Sequence, residues 1–166
     1  PDRLSAQLLW FESGEVEYRF SLGEIDPVQV EWLEISMELS SNAPMYRENF
    51  KSDIYVGLGE TELGVWTSPG DYGARRGRFN PSWWSDTSSQ YGLLKTWRVD
   101  NQGCTLDGEP LSSVTLADLN LGGQDYLALR IGVHADAAHV GGINLFGEQF
   151  GDFAQGIVVR VGYAKP

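Results

Sequence analysis

The sequence predicts an all-β domain, an antiparallel β-sandwich of jelly-roll type, and three observations carry that prediction. Apolar and polar residues alternate in several short runs, the period of a half-buried strand. The 20 glycines fall mainly between those runs, where turns need them. No amphipathic helix of about ten residues or more is visible.

Val16, Tyr18, Phe20 and Leu22 form the first alternating run, and Pro27 ends that stretch. Val28, Val30 and Trp32 then alternate on one parity and Leu33, Ile35, Met37 and Leu39 on the other, so a bulge re-aims the strand or both of its faces are covered. A helix over Glu31 to Leu39 ranks lower, because the two-residue alternation is unbroken from Leu33 to Leu39. After a loop at Ser40 to Pro44, Ile54, Val56 and Leu58 pair through a Gly59 to Glu62 turn with Leu63, Val65 and Thr67, a hairpin. Asp107-Gly108 is the best two-residue turn signal, joining Thr105 and Leu106 to a return strand near Leu111. The stretch Ser113 to Leu121 allows a brief helical turn, ended by Gly122 and Gly123. Leu127, Leu129, Ile131 and Val133 give a strong strand, and Ile157, Val159 and Val161 close the chain in the same way. With no repeat or linker in view, residues 1–166 read as a single domain.

The net charge of −11 opposes binding to a phosphate backbone, so this chain alone is not expected to bind nucleic acid. No apolar run of about 18 residues is present to span a membrane. The opening PDRLSAQLLW lacks a signal-peptide pattern, and a start at Pro1 in place of Met reads as a fragment of a longer protein. Cys104 has no second cysteine to pair with, which favours a reducing compartment and a cytoplasmic location.

Positive charge is scarce and concentrated. Residues 67–98 hold Arg75, Arg76, Arg78, Lys95 and Arg98 against Asp71 and Asp86, a local +3, together with Trp83, Trp84 and Trp97. Arg75, Arg76 and Arg78 offer planar donor forks to a carboxylate, phosphate or anionic sugar; the plainer reading pairs them with the surplus acids. Tyr72, Trp83, Trp84 or Trp97 can stack on a sugar ring or a base, although aromatic residues are more often core than platform. The segment Val140 to Phe153 alternates apolar residues with Asn144, Glu148, Gln149 and Asp152, a pocket-like composition that a simple crossover shares. His134, Asp136 and His139 match no specific metal motif, so no metal site is assigned. No catalytic motif or cofactor loop stands out, and the carboxylate pair Asp71 and Glu148 is one guess among many, so an enzyme is the weaker class.

In NAPMYRENFKSDIYVGLGETELGVWTSPGDYG, RRGRFNPSWW, SSQYGLLKTWRV and GGINLFGEQFGD, the chain resembles the C-terminal domain of bacterial ArsR-like transcriptional regulators. These regulators carry a winged-helix DNA-binding domain at their N-terminus, and the likeness covers about residues 26–162. The resemblance implies the effector-binding half of a homodimeric regulator whose DNA-reading half lies outside this sequence. Strand patterning also resembles carbohydrate-binding modules, which suggests a sugar-like effector by analogy of fold. The expected ligand-binding set is Tyr72, Arg75, Arg76, Arg78, Trp83, Trp97, Asn144 and Glu148. A carbohydrate-binding module of a glycoside hydrolase is the alternative.

Overall fold

The computed structural model describes residues 5–165. Their strands are β1 (Leu8–Phe11), β2 (Gly14–Ser21), β3 (Val30–Ser40), β4 (Ser52–Leu58), β5 (Thr61–Ser68), β6 (Leu93–Asp100), β7 (Cys104–Leu106), β8 (Glu109–Ser112), β9 (Tyr126–Val133), β10 (Ile143–Phe146) and β11 (Val158–Tyr163). A seven-stranded sheet runs β1-β10-β3-β6-β7-β8, with β11 also on β3, and a four-stranded sheet runs β2-β9-β4-β5. Every pairing is antiparallel. The two sheets pack face to face as a β-sandwich, as the alternation predicts.

Strand pairing is nested. β4 pairs with β5, β3 with β6, β2 with β9 and β1 with β10, so the chain is one long antiparallel ribbon folded at Gly59 and wound across both sheets. The β3 strand is long enough to serve two partners along one edge. Ser40 to Glu38 pair with β10, and Ser36 to Val30 pair with β11.

The two-residue period of β3 decides what lies where. Leu33, Ile35, Met37 and Leu39 face the other sheet and are fully buried against Ile54, Val56, Leu58, Leu127, Leu129 and Ile131. Each such side chain contributes about 1.5–3 kcal/mol by leaving water. On the opposite parity Glu38 and Ser40 are buried as well, because loops cover that end of the outer face, whereas Trp32, Glu34 and Ser36 are partly exposed.

Local chemistry sets the turns. Asp107 and Gly108 both take positive φ, +50° and +86°, the requirement of a tight two-residue hairpin turn, and join β7 to β8. The β4–β5 turn is tighter than the sequence suggests, since Thr61 and Glu62 already belong to β5. The brief helical turn forms at Leu116–Leu119, with the Asp118 carboxylate accepting the Thr115 N–H at 2.8 Å. Asn120, in the left-handed region at φ 47°, ends it ahead of Gly122 and Gly123. One expectation is corrected more deeply: within Val140 to Phe153, Ile143–Phe146 is a central strand between β1 and β3. Its four residues are buried on both faces and therefore show no alternation.

Candidate functional site

Three loops meet at one end of the sandwich: residues 41–51 between β3 and β4, 69–92 between β5 and β6, and 134–142 between β9 and β10. Ser41 N–H donates to Gly70 O at 3.0 Å, Asn42 N–H to Gly141 O at 2.9 Å, and Asp71 N–H to Arg47 O at 2.8 Å. The 69–92 loop also meets the 147–157 crossover, where Phe79 N–H donates to Gly151 O at 2.9 Å. Together these segments roof the outer face of the seven-stranded sheet around Glu38, Asn144 and Phe146, all three buried.

Buried polar groups fasten the roof, as they must to offset their desolvation. Glu38 accepts the backbone N–H groups of Gly92, Asp152 and Phe153. Burial nonetheless pushes its carboxyl up from the ordinary range. Asn144 Nδ2 donates to Ser41 O at 2.7 Å and to the hydroxyls of Ser40 and Ser89. The Asp71 carboxylate accepts Ala43 N–H at 2.8 Å and the Ser89 hydroxyl at 2.7 Å through Oδ2, while its buried Oδ1 has no partner among the described residues. Burial raises this carboxyl as well.

The eight expected ligand residues do not converge on one hollow. Arg75 binds Asp152 through both ends of its guanidinium and lies 3.8 Å over the Tyr91 ring, on which Tyr72 stacks. Arg76 donates to Pro81 O, to Trp84 O and to Asp86. These two arginines hold the loop itself, as the plainer reading has it. The Arg78 N–H donates to Asp152, and its exposed side chain adds a nearby positive charge. Trp97 pairs with Ile35 across β3 and β6, which turns it inward with Val99, and with 0% exposure it offers no face to a ligand. Trp83 is 75% exposed and meets Trp84 edge-on, and Glu148 is exposed. Asp71, fully buried, cannot flank a sugar bond together with Glu148.

His134 and His139 serve different carboxylates. His134 stacks on Tyr55 and bonds Glu62, and His139 bonds Asp53. No group of three or more His, Cys, Asp or Glu residues is placed to share a metal ion among the described residues.

One recess, of about 190 Å³, lies where β1 and β10 meet the roof. Leu8, Trp10, Met45 and Trp84 give it apolar walls; Asn42 and Ser88 bring an amide and a hydroxyl, while the buried polar groups of Ser89 and Asn144 are already bonded within the roof. Of the expected set, Asn144 alone stands on its walls. Trp84 is held in place by an Nε1–H bond to Ser89 O at 2.8 Å and by an edge-on contact with Phe150. Trp10 and Met45 are 58% and 76% exposed at the rim. Sequence reasoning missed Trp10 because Leu8 to Phe11 is uniformly apolar and gives no parity from which to read an outward face.

Across Asn42 and Ala43, which line both, lies a hollow of about 540 Å³ with Glu12, Pro44, Arg47, Phe50 and Val140 on its walls. A third cleft of about 250 Å³ opens between the unsealed sheet edges, lined mostly by apolar side chains such as Leu9, Tyr18, Phe20 and Ile157. Compared with known proteins, the chain matches no family model, no curated sequence and no solved structure. No helix among the described residues is long and apolar enough to cross a membrane.

Proposed function

We propose that this chain is a ligand-binding β-sandwich of jelly-roll type that holds a neutral, sugar-like solute in the recess between Trp10 and Trp84. One observation carries the reading: exposed and half-buried indoles flank a recess that bears no charged side chain and presents the Asn42 amide and the Ser88 hydroxyl. Indole faces complement the apolar C–H face of a sugar ring, and amides with hydroxyls match its O–H groups, so the recess discriminates by hydrogen bonding. The nested strand pairing supports the jelly-roll assignment.

The role as effector domain of a transcriptional regulator rests on the loop resemblance, and a place in the cytoplasm on that and on the lone Cys104. Binding would act by favouring one of two arrangements of a larger protein. The coding sequence upstream of Pro1 tests it: a winged helix there supports a regulator, whereas a secretion signal or hydrolase domain makes this a carbohydrate-binding module. For the recess itself, titration calorimetry with neutral mono- and disaccharides is decisive. Trp10→Ala should weaken binding about tenfold with the fold intact, as loss of one stacking face implies. A panel in which no saccharide binds, or in which W10A binds like the parent, overturns the assignment.

A further inference from the structure

Building on the sugar-site reading, we infer that the ligand has at least two units and that the second is a sugar acid, whose carboxylate is received by Arg47 in the adjoining hollow. The two hollows share Asn42 and Ala43 and so adjoin, and a ligand that occupies both lies across this pair. At about 540 Å³ the second hollow is the roomier of the two and lies within the range of small-molecule pockets.

Arg47 is the group that selects a carboxylate. In an acidic chain, Arg19, Arg75, Arg76, Lys95, Arg98 and Arg130 each hold a carboxylate; of the described cations that form no ion pair, Arg47, Lys51, Arg78, Arg160 and Lys165, Arg47 alone lines the hollow. Its guanidinium carbon lies 6.0 Å from the Phe50 ring centroid, and Pro44 and Val140 complete the apolar surroundings. A planar fork above an aromatic ring suits bidentate capture of a carboxylate.

The backbone that presents Arg47 is fixed in advance. Met45 and Tyr46 both take left-handed φ, +52° and +40°, a costly pair for residues with side chains. The Tyr46 ring fills the space beside Gly73, where a Cβ would come within 2.2 Å of it, and Arg47 O accepts the Asp71 N–H. Little ordering is then left for the moment of binding. Glu12 on the same hollow accepts sugar hydroxyls and repels a second acid, so one carboxylate per ligand is the fit.

The test compares neutral disaccharides with their uronate-terminated counterparts, and free glucuronate, on the parent, R47Q and W10A proteins by calorimetry. The parent should bind an acidic disaccharide about tenfold more tightly than its neutral counterpart, and R47Q should erase that preference. W10A should weaken both disaccharides alike, and free glucuronate should bind weakly for want of the first unit. Equal affinity for neutral and acidic forms, or a preference that survives in R47Q, overturns the inference while leaving the sugar site standing. Failure of every saccharide to bind removes both.

Discussion

The Arg75 guanidinium grips the Asp152 carboxylate across a sequence separation of 77 residues, with Nη1–Oδ1 at 3.0 Å and Nη2–Oδ2 at 2.5 Å. This pair ties the 69–92 loop to the crossover that follows β10. Burial works to raise the Asp152 carboxyl, but the bonds from Arg75 and from the Arg78 N–H outweigh it and hold the group below its usual range.

Asp152→Ala should therefore destabilise the protein more than Arg75→Ala does. Removing the aspartate leaves both of its donors, the Arg75 guanidinium and the Arg78 N–H, without their acceptor, whereas removing the arginine leaves Asp152 with the Arg78 N–H and the nearby Arg78 charge. A loss of about 1–3 kcal/mol for D152A and under about 1 kcal/mol for R75A is expected in urea unfolding. Equal losses would mean that the contact with the Tyr91 ring, and not the carboxylate, anchors the loop.

Glu38 and Asp71 are both buried and raised, yet their amide variants should diverge. A carboxyl whose native pKa lies above its unfolded value of about 4 stabilises the fold most below that value, and this contribution is lost as pH rises through the native pKa. In Asp71→Asn the amide oxygen can keep both bonds made by Oδ2, and the buried charge is gone. D71N should match or exceed the parent at pH 7, with the gain shrinking toward pH 4. Glu38→Gln instead turns an NH₂ group toward backbone N–H donors and should cost about 1–3 kcal/mol. Urea midpoints at the two pH values check both.

The adjacent indoles separate in the same way. Trp84→Ala opens a void beside Phe150 and removes the bond to Ser89 O, for an expected loss of about 3 kcal/mol. Trp83→Ala, at a largely exposed position, should fall within about 0.5 kcal/mol of the parent in thermal unfolding.

Cys104 is 1% exposed, and burial pushes its thiol up to about 11. Against the ordinary value of 9.0, its thiolate fraction at neutral pH falls about 100-fold. A disulfide reagent should label the native protein far more slowly than the unfolded one; equal rates would place the thiol at the surface.

Much of the framework is legible in residues whose two faces differ. The run Leu33 to Leu39 identifies β3, and Asp107-Gly108 identifies the β7–β8 turn, because each follows from local chemistry. Trp97 shares parity with Val99, but Lys95 on the same parity blurs the alternation of Leu93–Asp100, and the pairing with Ile35 is what places the indole inside. Ile143–Phe146 and Leu8–Phe11 are harder, since a strand covered on both faces and a short apolar edge strand carry no period. The recess depends on both of them. Arg75 and Asp152 lie on different loops, and nothing local in the sequence announces that each satisfies the other.

Winding the chain as a nested ribbon also has a cost in time. Leu8 finds its strand partner in Phe146, so β1 waits until β10 has left the ribosome before it can dock. Pairings this distant in sequence close large loops before any contact rewards them, which makes folding slow and leaves apolar edges open to aggregation meanwhile. The walls that bear Trp10 and Asn144 belong to those late strands, so competence to bind should be the last property the newly made chain acquires.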